Sequence, residues 1–154
     1  MRTRSRVVVL ACALLLLLGA SALSDSAIDY IGLRISLPIG ELPSYYGIEL
    51  GKEIAFGYAL VSLVFSPNGR TLLLGSVDIP IGEQLGWAAT LARLTAGFSH
   101  RAGDFLPGLV GGGGIVIALY PEGTDLRIGM TGELLYPTAF SPPFLSLEGG
   151  LAWW

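Results

Sequence analysis

The chain has 154 residues, nine basic and twelve acidic, with a formal net charge of −3, 52% hydrophobic residues and a single cysteine. That length fits one domain, the acidic balance argues against nucleic acid as a partner, and one cysteine supplies neither a disulfide framework nor a thiolate metal site. Glycine is abundant but scattered through apolar segments that can bury a core, which excludes a low-complexity disordered chain.

At the N-terminus, Arg2, Arg4 and Arg6 precede the apolar run 7–18, and Ala20-Ser21-Ala22 or Ala22-Leu23-Ser24 follows. This is the layout of a cleaved secretory signal peptide, assigned to residues 1–24. The run is shorter than the ~20 residues of a membrane-spanning helix; an uncleaved anchor is the rival reading. Cys12 lies inside the run rather than after it, unlike a lipidated cysteine. The domain is then residues 25–154, without cysteine, and the loss of three arginines and no acid takes the charge from −3 to −6.

Apolar residues then alternate with small or polar ones, as in Ile31-Gly32-Leu33-Arg34-Ile35. Successive side chains of a strand point to opposite faces, so the pattern predicts strands over 30–39, 45–50, 54–65, 71–81, 84–98, 109–120, 126–136 and 144–154. In the third, Ile54, Phe56, Tyr58 and Leu60 share a greasy face against Ala55, Gly57 and Ala59; in the seventh, Leu126, Ile128 and Met130 oppose Arg127, Gly129 and Thr131. Inner turns are expected at 51–53, 82–83 and 121–125, and longer outer loops at 40–44, 66–70, 99–108 and 137–143. Pro67-Asn68-Gly69 is a strong hairpin signal. Segment 83–98 is ambiguous, because Trp87, Leu91, Leu94 and Phe98 also form a helical stripe. Strand is preferred, with Leu85, Trp87, Ala89, Leu91 and Arg93 facing outward, since a helix leaves seven strands and an open edge that lipid cannot satisfy.

An even number of alternating strands with short turns on one side and longer loops on the other is the pattern of an all-β, eight-stranded antiparallel up-and-down transmembrane β-barrel. The last strand, Leu145-Ser146-Leu147-Glu148-Gly149-Gly150-Leu151-Ala152-Trp153-Trp154, ends in an aromatic. On these features residues 28–154 resemble the small bacterial outer-membrane β-barrel proteins. The resemblance implies a place in the outer membrane, contact with its lipid, and recognition by the barrel assembly machinery through residues 145–154, with Trp154 where the family usually carries phenylalanine.

Tyr45, Tyr46, Tyr120, Tyr136, Phe140, Trp153 and Trp154 fall near strand ends, where aromatics mark the two membrane interfaces. Arg34, Glu49, Glu53, Asp78, Arg127, Glu133 and Glu148 share the small-residue phase and form a predicted charge network inside the barrel. Eight strands enclose an interior that side chains fill, so a packed polar plug without an open channel is expected, with a gated or proton-conducting lumen as the rival. No metal or other cofactor is assigned. Ser99, His100 and Asp104 are the residue types of a nucleophile, base and orienting acid, but adjacent residues of an extended chain point apart. Gly111-Gly112-Gly113-Gly114 is followed by Ile115-Val116-Ile117 and not by lysine, so it reads as strand rather than as a phosphate loop.

The expected role is structural or surface-interacting. The alternatives are an outer-membrane lipid-modifying acyl hydrolase or transferase and a soluble periplasmic or secreted β-rich domain.

Overall fold

The computed structural model describes residues 28–38, 44–103, 108–136 and 144–152. They form eight strands: β1 (Tyr30–Pro38), β2 (Tyr45–Ile54), β3 (Gly57–Ser66), β4 (Arg70–Pro80), β5 (Ala88–Arg101), β6 (Gly108–Leu119), β7 (Leu126–Tyr136) and β8 (Phe144–Ala152). Each pairs antiparallel with the next, and β8 pairs with β1, from Tyr30↔Ala152 to Pro38↔Phe144, so the sheet closes on itself as an eight-stranded barrel. Closure removes the two free edges that an open sheet of this length presents. Followed from Tyr30 through Gly51, Leu60, Ser76, Thr95, Gly112 and Leu135, the register climbs steadily along the strands. Such a stagger goes with strands tilted by about 35–45° to the barrel axis.

The signal-peptide assignment, residues 39–43 and 104–107, the loop 137–143 and the last two tryptophans lie outside the described residues. Of the turns that are described, Pro67-Asn68-Gly69 closes β3 onto β4, with the Gly69 N–H donating to Ser66 O at 3.0 Å. The turn expected at 51–53 lies instead at Ala55-Phe56, because β2 runs on to Ile54. Gly57 makes that corner possible. Its φ is +153°, and a Cβ there would sit 1.9 Å from Asp78 O. Segment 83–98 is strand from Ala88 onward, preceded by a small hairpin in which Leu85 and Ala88 exchange backbone hydrogen bonds of 2.9 and 3.0 Å.

Two strands present the opposite face to the one expected. In β5, Leu91 and Arg93 are buried in the lumen while Leu94 is half exposed outside, which reverses the predicted orientation. In β3, Leu60 and Val64 turn inward beside Ser62, and Phe65 turns outward. Both strands carry apolar residues on both faces, so their grease does not say which face is which. Their polar residues do: Ser62 and Arg93 are where the interior needs hydrogen bonds.

The interior is stratified. Toward the loop end Tyr45, Val64, Leu72, Leu74, Val110 and Leu135 pack together. Toward the turn end Ala89, Leu91, Val116 and Ala118 pack with Tyr58 and Tyr120, beside Tyr30 and Leu60. Between these apolar tiers lie the buried charges. The glycine run helps the wall close around them: a Cβ on Gly114 would lie 2.0 Å from Gly132 O, so β6 approaches β7 as only glycine permits.

Candidate functional site

The middle tier is a network of three guanidiniums and four carboxylates contributed by six strands. Arg93 on β5 is the most completely bonded. Its Nε and Nη2 donate to Asp78 Oδ1 and Oδ2 at 2.6 and 2.8 Å, the two-pronged geometry that makes arginine–carboxylate pairs strong. Across the lumen Nη1 and Nη2 also reach Glu148 on β8, the second at 2.9 Å.

Arg34 on β1 donates through Nη2 to Glu133 on β7 and to Ser146 Oγ at 3.2 Å, and through Nε to Ser36 Oγ at 3.1 Å. Hydroxyls add to the carboxylates' shells. Thr95 donates to Glu133, Thr131 to Glu148 Oε1 at 3.0 Å, and Ser62 to Glu49 Oε2 at 2.7 Å. Arg127 on β7 is held more loosely: Nη2 donates to Asp78 Oδ2 at 3.1 Å, and its guanidinium carbon lies 5.1 Å from the Tyr30 ring centroid and 5.8 Å from that of Tyr58. These are cation–π distances.

Removing charge from water is costly unless each charge is paired and hydrogen-bonded, which explains why so many small hydroxyl side chains share this level. It also explains the mechanical outcome. Arg93 joins β5 to β4 and β8, Arg34 joins β1 to β7 and β8, and Arg127 joins β7 to β4. The β5–β8, β1–β7 and β7–β4 links brace strands that are not neighbours, and the side chains that make them fill the lumen's middle.

Of the seven residues expected in this network, Arg34, Glu49, Asp78, Arg127, Glu133 and Glu148 are buried together. Glu53 is not among them. Because β2 extends to Ile54, Glu53 sits exposed at its turn end, where its backbone N–H donates to Asp29 Oδ2 at 3.0 Å. Arg93 is the member the sequence reading missed. Its register partner on β4 is Asp78, and opposite charges directly across a strand pair were the available clue.

The aromatics are also redistributed. Tyr46 is exposed on the outer wall, whereas Tyr45 is buried in the loop-end apolar tier and Tyr120 packs on the turn-end tier, so these two face inward. Their positions in sequence are near strand ends, but their phase is inward. Among the described residues, the other exposed aromatics near strand ends are Phe65, which faces Tyr46 in register, and Phe56 and Trp87 in the turns. Phe140, Trp153, Trp154 and the Tyr136 side chain lie outside the described residues.

Ser99 and His100 occupy successive positions of β5, opposite Leu72 and Thr71. Their side chains leave opposite faces of the sheet, and Asp104 lies outside the described residues. No nucleophile–base pair is formed by this dipeptide. Comparison with protein-family models, curated proteins and solved structures finds no match.

Proposed function

We propose that this protein is an integral β-barrel of a bacterial outer membrane, with a structural or surface-interaction role and a lumen closed by its own side chains. One observation carries the reading: the barrel is inverted relative to a water-soluble one. Outward positions are Ile31, Leu33, Ile35 and Leu37 on β1, Ile115, Ile117 and Leu119 on β6, Ile128, Met130 and Leu134 on β7, and Leu145, Leu147 and Leu151 on β8, with Leu33 67% and Leu151 57% exposed. Arg34, Arg93, Arg127, Glu49, Asp78, Glu133 and Glu148 are meanwhile at most 2% exposed. Soluble monomers rarely present contiguous apolar patches beyond a few hundred Å². Hydrocarbon is the surrounding that makes such a wall favourable, and a closed barrel satisfies its backbone there without water.

The secretory leader read at residues 1–24 supplies a route to that membrane, and residues 145–154 supply the expected contact with the assembly machinery. The braced charge tier supports a closed lumen rather than a conducting one.

The test is cell fractionation with gel mobility. The protein is expected in the outer-membrane fraction, extractable only with detergent, and migrating differently before and after boiling. Release by osmotic shock, with one mobility in both samples, would overturn the membrane reading in favour of a secreted β domain.

A further inference from the structure

Within the charge tier, four groups of alternating sign form a ring. Arg34 Nη1 lies 3.7 Å from Glu49 Oε2 and 3.9 Å from Glu148 Oε1, while Arg127 Nη1 lies 3.9 Å from Glu49 Oε1 and 4.0 Å from Glu148 Oε2. Every side of the ring is too long for a direct hydrogen bond, whose N–H···O distance rarely exceeds about 3.2 Å. Arg93 and Asp78, in the same tier, meet well inside that limit at 2.6 and 2.8 Å. The long spacing is a property of this ring, not of the tier.

Several atoms of the ring are unanswered by the protein itself. Arg34 Nη1, Arg127 Nη1 and Glu49 Oε1 have no hydrogen-bond partner among the described residues, and the three side chains are at most 2% exposed. Buried donors and acceptors left unmade are costly, charged ones most of all. Glu148 is better supplied, since Arg93 and Thr131 already donate to it. The wall on this side is built from small residues. Glu49, Gly32, Gly150 and Arg127 stand in one row across β2, β1, β8 and β7, so no side chain separates the carboxylate from the guanidinium along the row. Only Tyr30 leans over it. Its Oη, also without a partner, lies 2.1 Å from where a Cβ on Gly32 would be.

The chemistry of these atoms selects a ligand. A cation is answered by Glu49 but repelled by two guanidiniums. An anion is answered by the guanidiniums, yet it adds to a tier in which four carboxylates already outnumber three guanidiniums among the described residues. A small neutral molecule that accepts two hydrogen bonds and donates two suits all four corners. One oxygen can stand about 2.8–3.0 Å from both ends of gaps this wide, and polar groups so spaced are commonly joined through water.

We propose that Arg34, Glu49, Arg127 and Glu148 form a binding site for an internal water molecule, which accepts from the two guanidiniums and donates to the two carboxylates. Buried waters in proteins typically make about three such bonds to groups that otherwise lack partners. The apolar tiers on either side enclose this one. It is a structural part of the plug, not a link in a continuous water column.

A crystal structure of the folded protein grown from detergent, at a resolution that shows ordered water, tests the site. Density is expected within hydrogen-bond distance of Arg34 Nη1, Arg127 Nη1 and Glu49 Oε1. Direct contact of the guanidiniums with Glu49, with no density between them, overturns the proposal. Crystals grown with rubidium for sodium and bromide for chloride identify the occupant: an anomalous peak in the ring marks an ion and overturns the assignment, whereas density without one supports water.

Glu49→Gln keeps a side-chain oxygen and should keep the density, and Glu49→Met removes both oxygens and should lose it. Density unchanged in Glu49→Met overturns the ring as the site. The wild-type density and the ion substitution decide the matter if that variant fails to fold. None of these readouts needs a bilayer, so failure of this site and failure of the membrane reading give separate results.

Discussion

The two sides of the charge tier are built to different standards. Around Arg93, four donor–acceptor contacts tie one guanidinium to Asp78 and Glu148. Around Glu49, the ionic separations are longer: 3.7 Å to Arg34 Nη1 and 3.9 Å to Arg127 Nη1. There, Glu49 Oε1, Arg34 Nη1, and Arg127 Nε and Nη1 have no hydrogen-bond partner among the described residues. A buried ion pair repays its desolvation only when geometry is good and the remaining donors and acceptors are filled. The Arg93 side meets that condition and the Glu49 side does not. Stability in this tier therefore follows bond completeness, not the number of charges.

That contrast can be broken by substitution. Arg93→Ala strands Asp78 and Glu148 in the interior and is expected to cost about 3–5 kcal/mol, the usual penalty for removing one partner of a buried pair, read as a shift in the urea unfolding midpoint of the refolded barrel. Arg127→Ala should cost less, on the order of 1–3 kcal/mol, because Asp78 keeps Arg93 when Arg127 is gone; equal losses for the two variants would show that the sides are equivalent. Glu49→Gln should change stability by less than about 1 kcal/mol. It keeps a side-chain oxygen for the Ser62 hydroxyl and leaves three guanidiniums matched by three carboxylates. A loss as large as that of Arg93→Ala would mean that the long Glu49 contacts carry full ion-pair strength.

The same residues show what was legible in the sequence. β1, β7 and β8 combine a wholly apolar outward face with arginine or glutamate inward, and both their existence and their phase follow from alternation alone. In β5, Leu91 and Leu94 are equally greasy, yet one is fully buried and the other 50% exposed. Period-two reading sees the strand and cannot orient it. What orients it is Arg93 meeting Asp78 and Glu148, and the second of these contacts, 55 residues away, exists only once the barrel is closed. Glu53 failed for a local reason. Glycine at 57, not at 51, turns the chain, and this shift of a few residues moves a carboxylate from the lumen to the rim.

Closure has a further consequence for how the protein is made. Of the eight strands β1 is synthesised first, and one of its two neighbours, β8, last. Until then Arg34 lacks Ser146, and Arg93 lacks Glu148. A partly synthesised chain thus holds unanswered cations and an open seam at once. The last strand is the one that both completes these pairs and closes the seam.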